Sequence, residues 1–249
     1  MSSNFTFGVI RKRQAVRRFS SRPIPDPLLH ELLELTNRAP SGFNLQPWHF
    51  VVVVDHEVKR LLHHIAMDQI QVAEAPVTVV FVADPDSWKK PYDKVLQKGT
   101  TAGVISKQYA EQLRNSVSLV FRHGPFGLVG FIKKIAMPIR RLSKPTPHTI
   151  TSRSDAVAYV RSQTMLAVGT FLLAAESAGL ASCPMEGFDE DRLKRLLAIP
   201  RRMTVPAIVT IGYMVDGDTT PYSVRTSLEE KVSIDLFSNT LAKRKVPKE

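Results

Sequence analysis

The first clear pattern along the chain is a helical period of leucines. Positions 28, 29, 32, 33 and 35 lie on one face of a helix. Asp26 and Pro27 are suited to begin this helix as its N-cap and first-turn proline, and Pro40 disfavours helix beyond Ala39. The pattern therefore predicts an amphipathic helix from about residue 26 to residue 39.

Uninterrupted apolar runs follow this helix. HFVVVVD at 49–55 and VTVVFVAD at 77–84 predict two strands that are buried on both faces, with a short helix at 57–67 between them. Short, β-branched runs of this kind are typical of the central strands of a sheet.

The C-terminal half alternates helix and strand again. Residues 155–178 carry apolar side chains around most of the helical circumference, which predicts a helix enclosed on several sides and ended by Gly179. A short strand, a helix at about 190–197 and a strand at 206–214 complete an α+β pattern.

The segment 86–154 does not follow this rhythm. Gly-Pro, Lys-Pro and Thr-Pro breaks surround FGLVGFIKKIAMPIRRL, whose apolar and basic residues would lie on opposite sides of a helix ending at Pro138. We therefore expect one domain over 1–249 with an insertion at about 86–154.

The distribution of charged residues along the chain indicates which kinds of ligand the protein can bind. The 249 residues carry a net charge of +11, with +6 in 11–22, +8 in 107–161 and −3 over the remainder. Two local clusters on a mildly acidic body favour specific anion sites. Aromatic residues do not interleave with the basic ones as a stacking platform for nucleic acid requires, so we expect no nucleic-acid partner.

Several other classes of protein are disfavoured by what the sequence lacks. Cys183 is the only cysteine, which fits a reducing compartment, and the first residues contain no apolar signal region, so we expect a cytoplasmic protein. The sequence contains no G-x-G-x-x-G, Walker, G-x-S-x-G or H-E-x-x-H motif, and its histidines show no ligand spacing, so no metal site is expected.

Three stretches carry polar groups that a plain connector does not need: RKRQAVRRF at 11–19, APSGFNLQPWHF at 39–50 and CPMEGFD at 183–189. Taken singly, they could be a solvated basic face, a loop in which Asn44 and Gln46 satisfy the local backbone, and a turn before a helix. Cys183 would then be a buried packing residue.

Together the three stretches resemble the FMN-dependent nitroreductase family. The similarity lies in Arg13 to Phe19, in the intact A-P-S-x-x-N-x-Q-P-W pattern and in the P-x-E-G-F-D turn from Pro184, with Arg225 in the place of a late family arginine. It covers roughly 8–85 and 155–232. It implies a central mixed, mainly antiparallel sheet flanked by helices, in a homodimer whose subunits share the site.

The resemblance also implies a site for FMN. The positions it assigns are Arg13, Gln14, Ala15, Arg17, Pro40, Ser41, Gly42, Asn44, Gln71, Pro184, Met185, Glu186, Gly187 and Arg225. The arginines would hold the phosphate, the loop from Pro40 would approach the flavin of the partner subunit, and the Glu186-Gly187 backbone would donate to flavin N5. No side chain is assigned a catalytic role, with Glu186 as an acid the alternative.

Two residues depart from the family pattern. Ala15 stands where a serine is usual, so one hydroxyl contact to the flavin is lost or replaced. Asp68 stands where a donor to the flavin pyrimidine is usual, and a carboxylate cannot donate to a carbonyl oxygen, which leaves Gln71 for that place.

The activity that the resemblance implies is ping-pong hydride transfer from NAD(P)H through flavin N5 to a nitroaromatic, quinone or related small acceptor. The alternatives are a flavin- or anion-binding module without turnover, and a basic protein of membrane surfaces or nucleic acid. The insertion is interpreted as a lid lined by Phe121, Phe126 and Phe131, as a membrane-surface anchor, or as an arm that wraps the dimer partner.

Overall fold

The computed structural model describes residues 5–124, 127–146, 150–215 and 223–237. Contacts divide the chain into two units, Met1–Asp218 and Thr219–Glu249. The helices and strands given below all belong to the first unit. In the described part of the second, the amides of Lys231 and Val232 donate to the Leu228 carbonyl and form a short turn. The single-domain organisation stays a prediction.

Outside the insertion, the predicted elements occur in the predicted order. The helices are α1 Phe5–Lys12, α2 Asp26–Thr36, α3 His56–Ile65, α4 Ile70–Glu74, α5 Lys90–Thr101, α6 Lys107–Phe121, α7 Leu128–Arg141, α8 Arg153–Ser177 and α9 Glu190–Leu196. The strands are β1 Trp48–Val53, β2 Val77–Ala83, β3 Ala181–Met185 and β4 Thr204–Gly212. Of these, α1 and α4 are two helices that the sequence pattern did not predict.

The four strands form one sheet in the order β1-β2-β4-β3, and each neighbouring pair is antiparallel. A bridge between Ala15 and Ser182 adds a parallel pairing at the β3 edge. The sheet is therefore mixed and mainly antiparallel with helices around it, which confirms the α+β class.

One strand prediction was wrong in its burial. β2 and β4 are buried along their whole length, whereas β1 buries only Trp48 and Val53. The reason is topological: β1 pairs only with β2 and forms one edge of the sheet, so the middle of its apolar run is only partly covered within the chain.

Apolar side chains fill both faces of the sheet. On one face Phe81 of β2 meets Phe171 of α8 edge-on, with ring centroids 5.5 Å apart, and α2 closes this layer. On the other face Val80 and Ile208 pack under α3 and α9. The two apolar layers thus hold the sheet, and with it the edge strand β3, in a defined place.

The long helix α8 lies where the sequence predicts it and is enclosed on several sides, by α1, α2 and the sheet, although not all around. Its residues Met165, Leu166 and Leu173 are 36, 45 and 37% exposed, so the chain encloses only part of its circumference. Among the described helices, α8 alone is long and apolar enough to span a membrane by length and composition. In this fold it packs on α2 and the sheet.

The insertion folds around a small core that it shares with Leu45 and the first turns of α8. Phe121 of α6 is fully buried, stacked on Trp88 at 6.2 Å and edge-on to Tyr159 at 5.2 Å. It therefore does not line an open face, contrary to the lid interpretation, and Phe126 lies outside the described residues. Pro138 does not end α7, which continues to Arg141, because a proline at an exposed helix position leaves a carbonyl that water can satisfy.

A capping box begins α8 and makes the stability of the fold depend on pH in the acid range. The carboxylate of Asp155 accepts from the Thr151 amide (2.9 Å), the Thr151 hydroxyl (2.8 Å) and the Ser152 amide (3.0 Å). These bonds lower the pKa of Asp155 to about 2. The pKa in the unfolded chain is about 3.9, so the cap stabilises the fold above about pH 4 and is lost as the pH falls towards 2.

We expect Asp155→Ala to lower the free energy of unfolding by about 1 to 2 kcal/mol at neutral pH. In urea unfolding at a series of pH values, the difference from the wild type should shrink as the pH falls below about 4 and be smallest below pH 2. Asp191→Ala, which removes a first-turn carboxylate without hydrogen bonds among the described residues, is the control and should have a smaller effect. A difference that stays constant with pH would contradict this account of the cap.

Candidate functional site

The first arginine-rich stretch lies along the edge strand β3. Ala15 bridges Ser182, and the amide of Val16 donates to the Ser182 carbonyl at 3.0 Å. Val16 is buried under the sheet, while Arg13 is half-buried and Arg17 is exposed. Pairing with β3 therefore carries the two arginines, with Gln14 and Ala15 between them, to the edge of the sheet that ends in the Pro184 turn.

Only one of the three nearby arginines is committed to a carboxylate. Arg18 pairs with Glu74 at 2.9 Å, and Glu74 also accepts from the Phe19 amide at 3.1 Å. Within the described ranges, Arg13 and Arg17 form no ion pair. Two guanidinium groups are therefore available to an anion beside β3.

The pKa shifts of two groups at this edge show that the basic side chains lie near them. Burial raises the pKa of Glu176, and the charges of Lys12 and Arg13 partly oppose the rise. Burial raises the pKa of the Cys183 thiol, while the charge of Arg17 acts in the other direction. Cys183 is buried, so it is a packing residue and not an exposed thiolate, as predicted.

The turn after β3 is held by two glutamines. Gln71 is buried, and its Nε2 donates to the Met185 sulfur at 3.0 Å and to Oε1 of Gln69 at 3.1 Å. Nε2 of Gln69 in turn donates to the Gly187 carbonyl at 2.8 Å. The structure thus brings Gln71, Met185 and Gly187 together, and their role in flavin binding stays a prediction.

Gln69 is a residue that the sequence reasoning missed. Its neighbour Asp68 points away from the turn and lies 3.4 Å from His64 and 3.7 Å from His63. Both Met67 and Asp68 have positive φ, and this tight corner decides which of the neighbouring side chains reaches Gly187. A local sequence signal for that choice does not exist, because it depends on the backbone path.

The Glu186-Gly187 segment leaves a donor unused. Both residues are exposed, and within the described part of the chain the Gly187 amide donates to no acceptor. A Cβ at Gly187 would meet only Nε2 of Gln69, at 3.4 Å. The amide is therefore accessible to a ligand, and its surroundings are not crowded.

A crevice of about 390 Å³ opens beside this turn. It is lined by Met165, Val168, Gly169, Leu172, Pro184, Met185, Glu186 and Ala207. Its mainly apolar wall and its volume fit a small-molecule site, which typically occupies about 300 to 1,000 Å³. A larger hollow of about 630 Å³ beside α9 contains no residue of the three stretches.

The loop that includes Pro40, Ser41 and Asn44 packs on α8 and not on the Pro184 turn of the same chain. The Gly42 amide donates to Oε1 of Gln163 at 2.7 Å, and a Cβ at Gly42 would overlap the Tyr159 hydroxyl. These contacts hold the loop against the N-terminal half of α8. Across the described residues, no hydrogen bond joins it to the Pro184 turn.

The polar side chains of this loop stabilise the loop itself. Ser41 Oγ accepts from the Gln46 amide at 3.0 Å, and Nε2 of Gln46 donates to Asn44 Oδ1 at 3.0 Å. Phe43, Asn44 and Gln46 have φ of 57, 55 and 46°, a conformation that non-glycine residues adopt rarely. These side chains are therefore used within the loop, but Asn44 and Gln46 bond each other and not the backbone as the local interpretation required, and Asn44 is exposed.

Arg225 belongs to the second unit of the chain. It is exposed, and its Nη1 donates to the carbonyl of Val224 at 3.0 Å. Its role in phosphate binding stays a prediction.

The comparison with protein families decides what kind of fold holds these residues. The model of the nitroreductase family matches residues 10–213. The chain belongs to the nitroreductase family. The match includes all three stretches of this nitroreductase-family protein and ends before Arg225, so the resemblance drawn from the motifs is confirmed.

Relatives of this nitroreductase-family protein carry redox names. It is 32% identical over 202 residues to a protein named NADH dehydrogenase from Thermus thermophilus, which covers 81% of this chain and 83% of the relative. It is 25% identical over 215 residues to 4-nitrobenzoate reductase from Nocardioides, with coverage of 82% and 78%. These matches support an oxidoreductase.

The fold also matches solved nitroreductase-like structures. A structure from Exiguobacterium sibiricum, assigned as a nitroreductase in complex with FMN, superposes with a TM-score of 0.71 at 18% identity, covering 94% of this chain and 98% of that one. The predicted nitroreductase-like fold is therefore confirmed.

Proposed function

We propose that this protein binds FMN beside β3 and transfers reducing equivalents from NAD(P)H to a small conjugated acceptor such as a nitroaromatic compound or a quinone. One observation carries the proposal. Two guanidinium groups and the Gly187 amide, which have no carboxylate partner or acceptor among the described residues, lie along the same strand edge, next to a crevice of ligand size. The family match and the redox names of relatives support it.

The charged end of this edge fits a phosphate. Arg13 and Arg17 can present planar forks of donors to its oxygens, and a guanidinium forms such bonds in pairs. The neighbouring Arg18 is held by Glu74 and serves the fold instead.

The end of the β3 edge at the Pro184 turn fits a flat ring with a polar edge. Pro184 and Met185 offer an apolar wall, and the Gly187 amide offers a donor to the ring edge. When bound, FMN would supply reversible two-electron chemistry at its N5 atom, which no side chain of the chain can supply. The chain would orient the ring, keep Gly187 aimed at N5 and hold the pyrimidine side near Gln71.

Ala15 cannot contribute a hydroxyl to the cofactor. The backbone of this segment is already fixed by its pairing with Ser182. We propose that this fixed backbone and the arginines replace the missing side-chain contact.

A second copy of the chain completes the proposed site. The loop with Pro40, Ser41, Gly42 and Asn44 is held against α8 and, among the described residues, forms no hydrogen bond with the turn of its own chain, so we place it at the flavin of the partner subunit. Exposed Met165, Leu166 and Leu173 on α8 offer the apolar surface that such a homodimer would bury. The dimer should therefore become more stable with added FMN.

The purified protein tests the proposal directly. We expect a yellow protein with flavin absorption that oxidises NADH or NADPH when menadione or a nitrofuran is added. Bound flavin without turnover would favour the non-catalytic binding module. Colourless protein that does not take up added FMN would contradict the proposal.

A pair of variants at Gly187 tests the assigned donor. Gly187→Pro removes the amide, whereas Gly187→Ala keeps it and meets only the end of the Gln69 side chain. Loss of one charge-stabilising donor typically lowers a rate about 100-fold or more. We expect Gly187→Pro to reduce turnover by about this factor and to shift the flavin potential, with Gly187→Ala close to wild type. Equal activity of the two variants would show that the Gly187 amide is not a donor to the cofactor.

A further inference from the structure

One face of α7 is apolar and open to solvent along its length. The stripe consists of Leu128, Phe131, Ile132, Ile135, Ile139 and, at the C-cap, Leu142, which are between 54 and 88% exposed. Spacings of three and four residues place these side chains on one side of the helix, which is about 21 Å long. We call this surface the α7 stripe. Apolar surface of this extent marks an interaction site.

The helix is fixed with the α7 stripe outward. Lys133 on the opposite face is 6% exposed, and its Nζ donates to the carbonyls of Val120 (2.9 Å) and Arg122 (2.8 Å). Gly130 lies so close to Thr151 that a Cβ would overlap the Thr151 carbonyl oxygen. An amphipathic helix in a domain core buries its apolar face, whereas α7 anchors itself by a lysine and a glycine and presents its apolar face.

Positive charge flanks the α7 stripe on both sides. By helical position Lys134 and Arg141 lie on one side of the stripe and Arg140 on the other, while Lys144 follows the end of the helix, and all four are exposed. The sequence has no Asp or Glu between 112 and 154. An apolar stripe flanked by cations matches the boundary between acyl chains and anionic headgroups.

We propose that the α7 stripe docks this protein on an anionic lipid surface, with the helix in the plane of the interface. The proposal does not depend on the proposed function. Self-association through the stripe would bring the four cations of one copy against the same four of another, which is unfavourable. A lid on the chain's own crevice is not indicated, because the residues that line that crevice include none from α7.

The test is co-sedimentation of the full-length protein with vesicles. We expect binding to vesicles of phosphatidylcholine with phosphatidylserine, weak binding to phosphatidylcholine alone, and release by salt. Ile135→Asp with Ile139→Asp should reduce the partition coefficient at least about tenfold, because both side chains lose their apolar contact with lipid. Val54→Asp, at a similarly exposed valine outside α7, is the matched control and should bind as wild type.

Every other outcome counts against the proposal. Absence of wild-type binding to anionic vesicles, or equal binding by the double variant, would overturn it. Loss of the dimer in sedimentation equilibrium of the double variant would assign the stripe to a second copy instead. Circular dichroism and thermal unfolding verify that the variants fold, which is expected because the replaced side chains are exposed.

Discussion

Replacing Arg13 and Arg17 together with alanine is expected to weaken FMN binding about a hundredfold or more. A hydrogen bond to a charged group contributes about 1.5 to 3 kcal/mol, and every 1.4 kcal/mol corresponds to a tenfold change in affinity. We take the lower end of this range because Arg17 is exposed and water screens its charge. Titration of the apoprotein with FMN, followed by flavin fluorescence, measures the change.

The same stretch provides the control for this experiment. Arg18→Ala removes a guanidinium one residue away, but Arg18 is already paired with Glu74. Its loss should leave FMN affinity within about threefold of wild type and affect stability slightly. If Arg18→Ala weakens FMN as much as the double variant, the effect reflects the overall charge of the stretch and not a phosphate site. If the double variant binds FMN normally, the phosphate lies elsewhere.

Truncating Phe171 to alanine is expected to lower the free energy of unfolding by about 3 to 5 kcal/mol. Phe171 is fully buried between α8 and the sheet, and its ring meets Phe81 edge-on at 5.5 Å. The variant would leave a cavity in the layer that supports β4 and, through it, β3. Urea unfolding of the apoprotein at fixed protein concentration measures the loss without the added stabilisation from FMN.

Leu61→Ala on α3 is the comparison for this variant. Leu61 is 43% exposed, so its truncation should lower the stability by less than about 1 kcal/mol. Comparable losses in the two variants would mean that the packing of α8 on the sheet is not the main support of the fold.

Local patterns were sufficient for most elements outside the insertion. The apolar run of 77–84 forms β2, because an uninterrupted run of β-branched residues favours a buried central strand. The position of α8 followed from its apolar residues and its final glycine. α4 could not be foreseen, since five residues carry too little periodicity.

Burial was the property that the local patterns predicted least well. The valines of β1 and the leucines of α8 have the composition of enclosed elements, yet both elements keep exposed surface within the chain. Composition records that a side chain is apolar, but the strand order and the packing of helices determine what covers it. The same reason explains why Phe121 lies in a core and not on an open face.

The sequence by itself determined the family, the α+β class and the three stretches that carry the proposed site, because motif order and hydrophobic period are local properties of the chain. Only the tertiary structure decided which arginines are free, that Gln69 and not Asp68 reaches Gly187, and that α7 faces outward. These are outcomes of pairing between residues far apart in the chain. Arg18 is taken by Glu74 at a separation of 56 residues, and Gln69 meets Gly187 at 118, distances that no local pattern encodes.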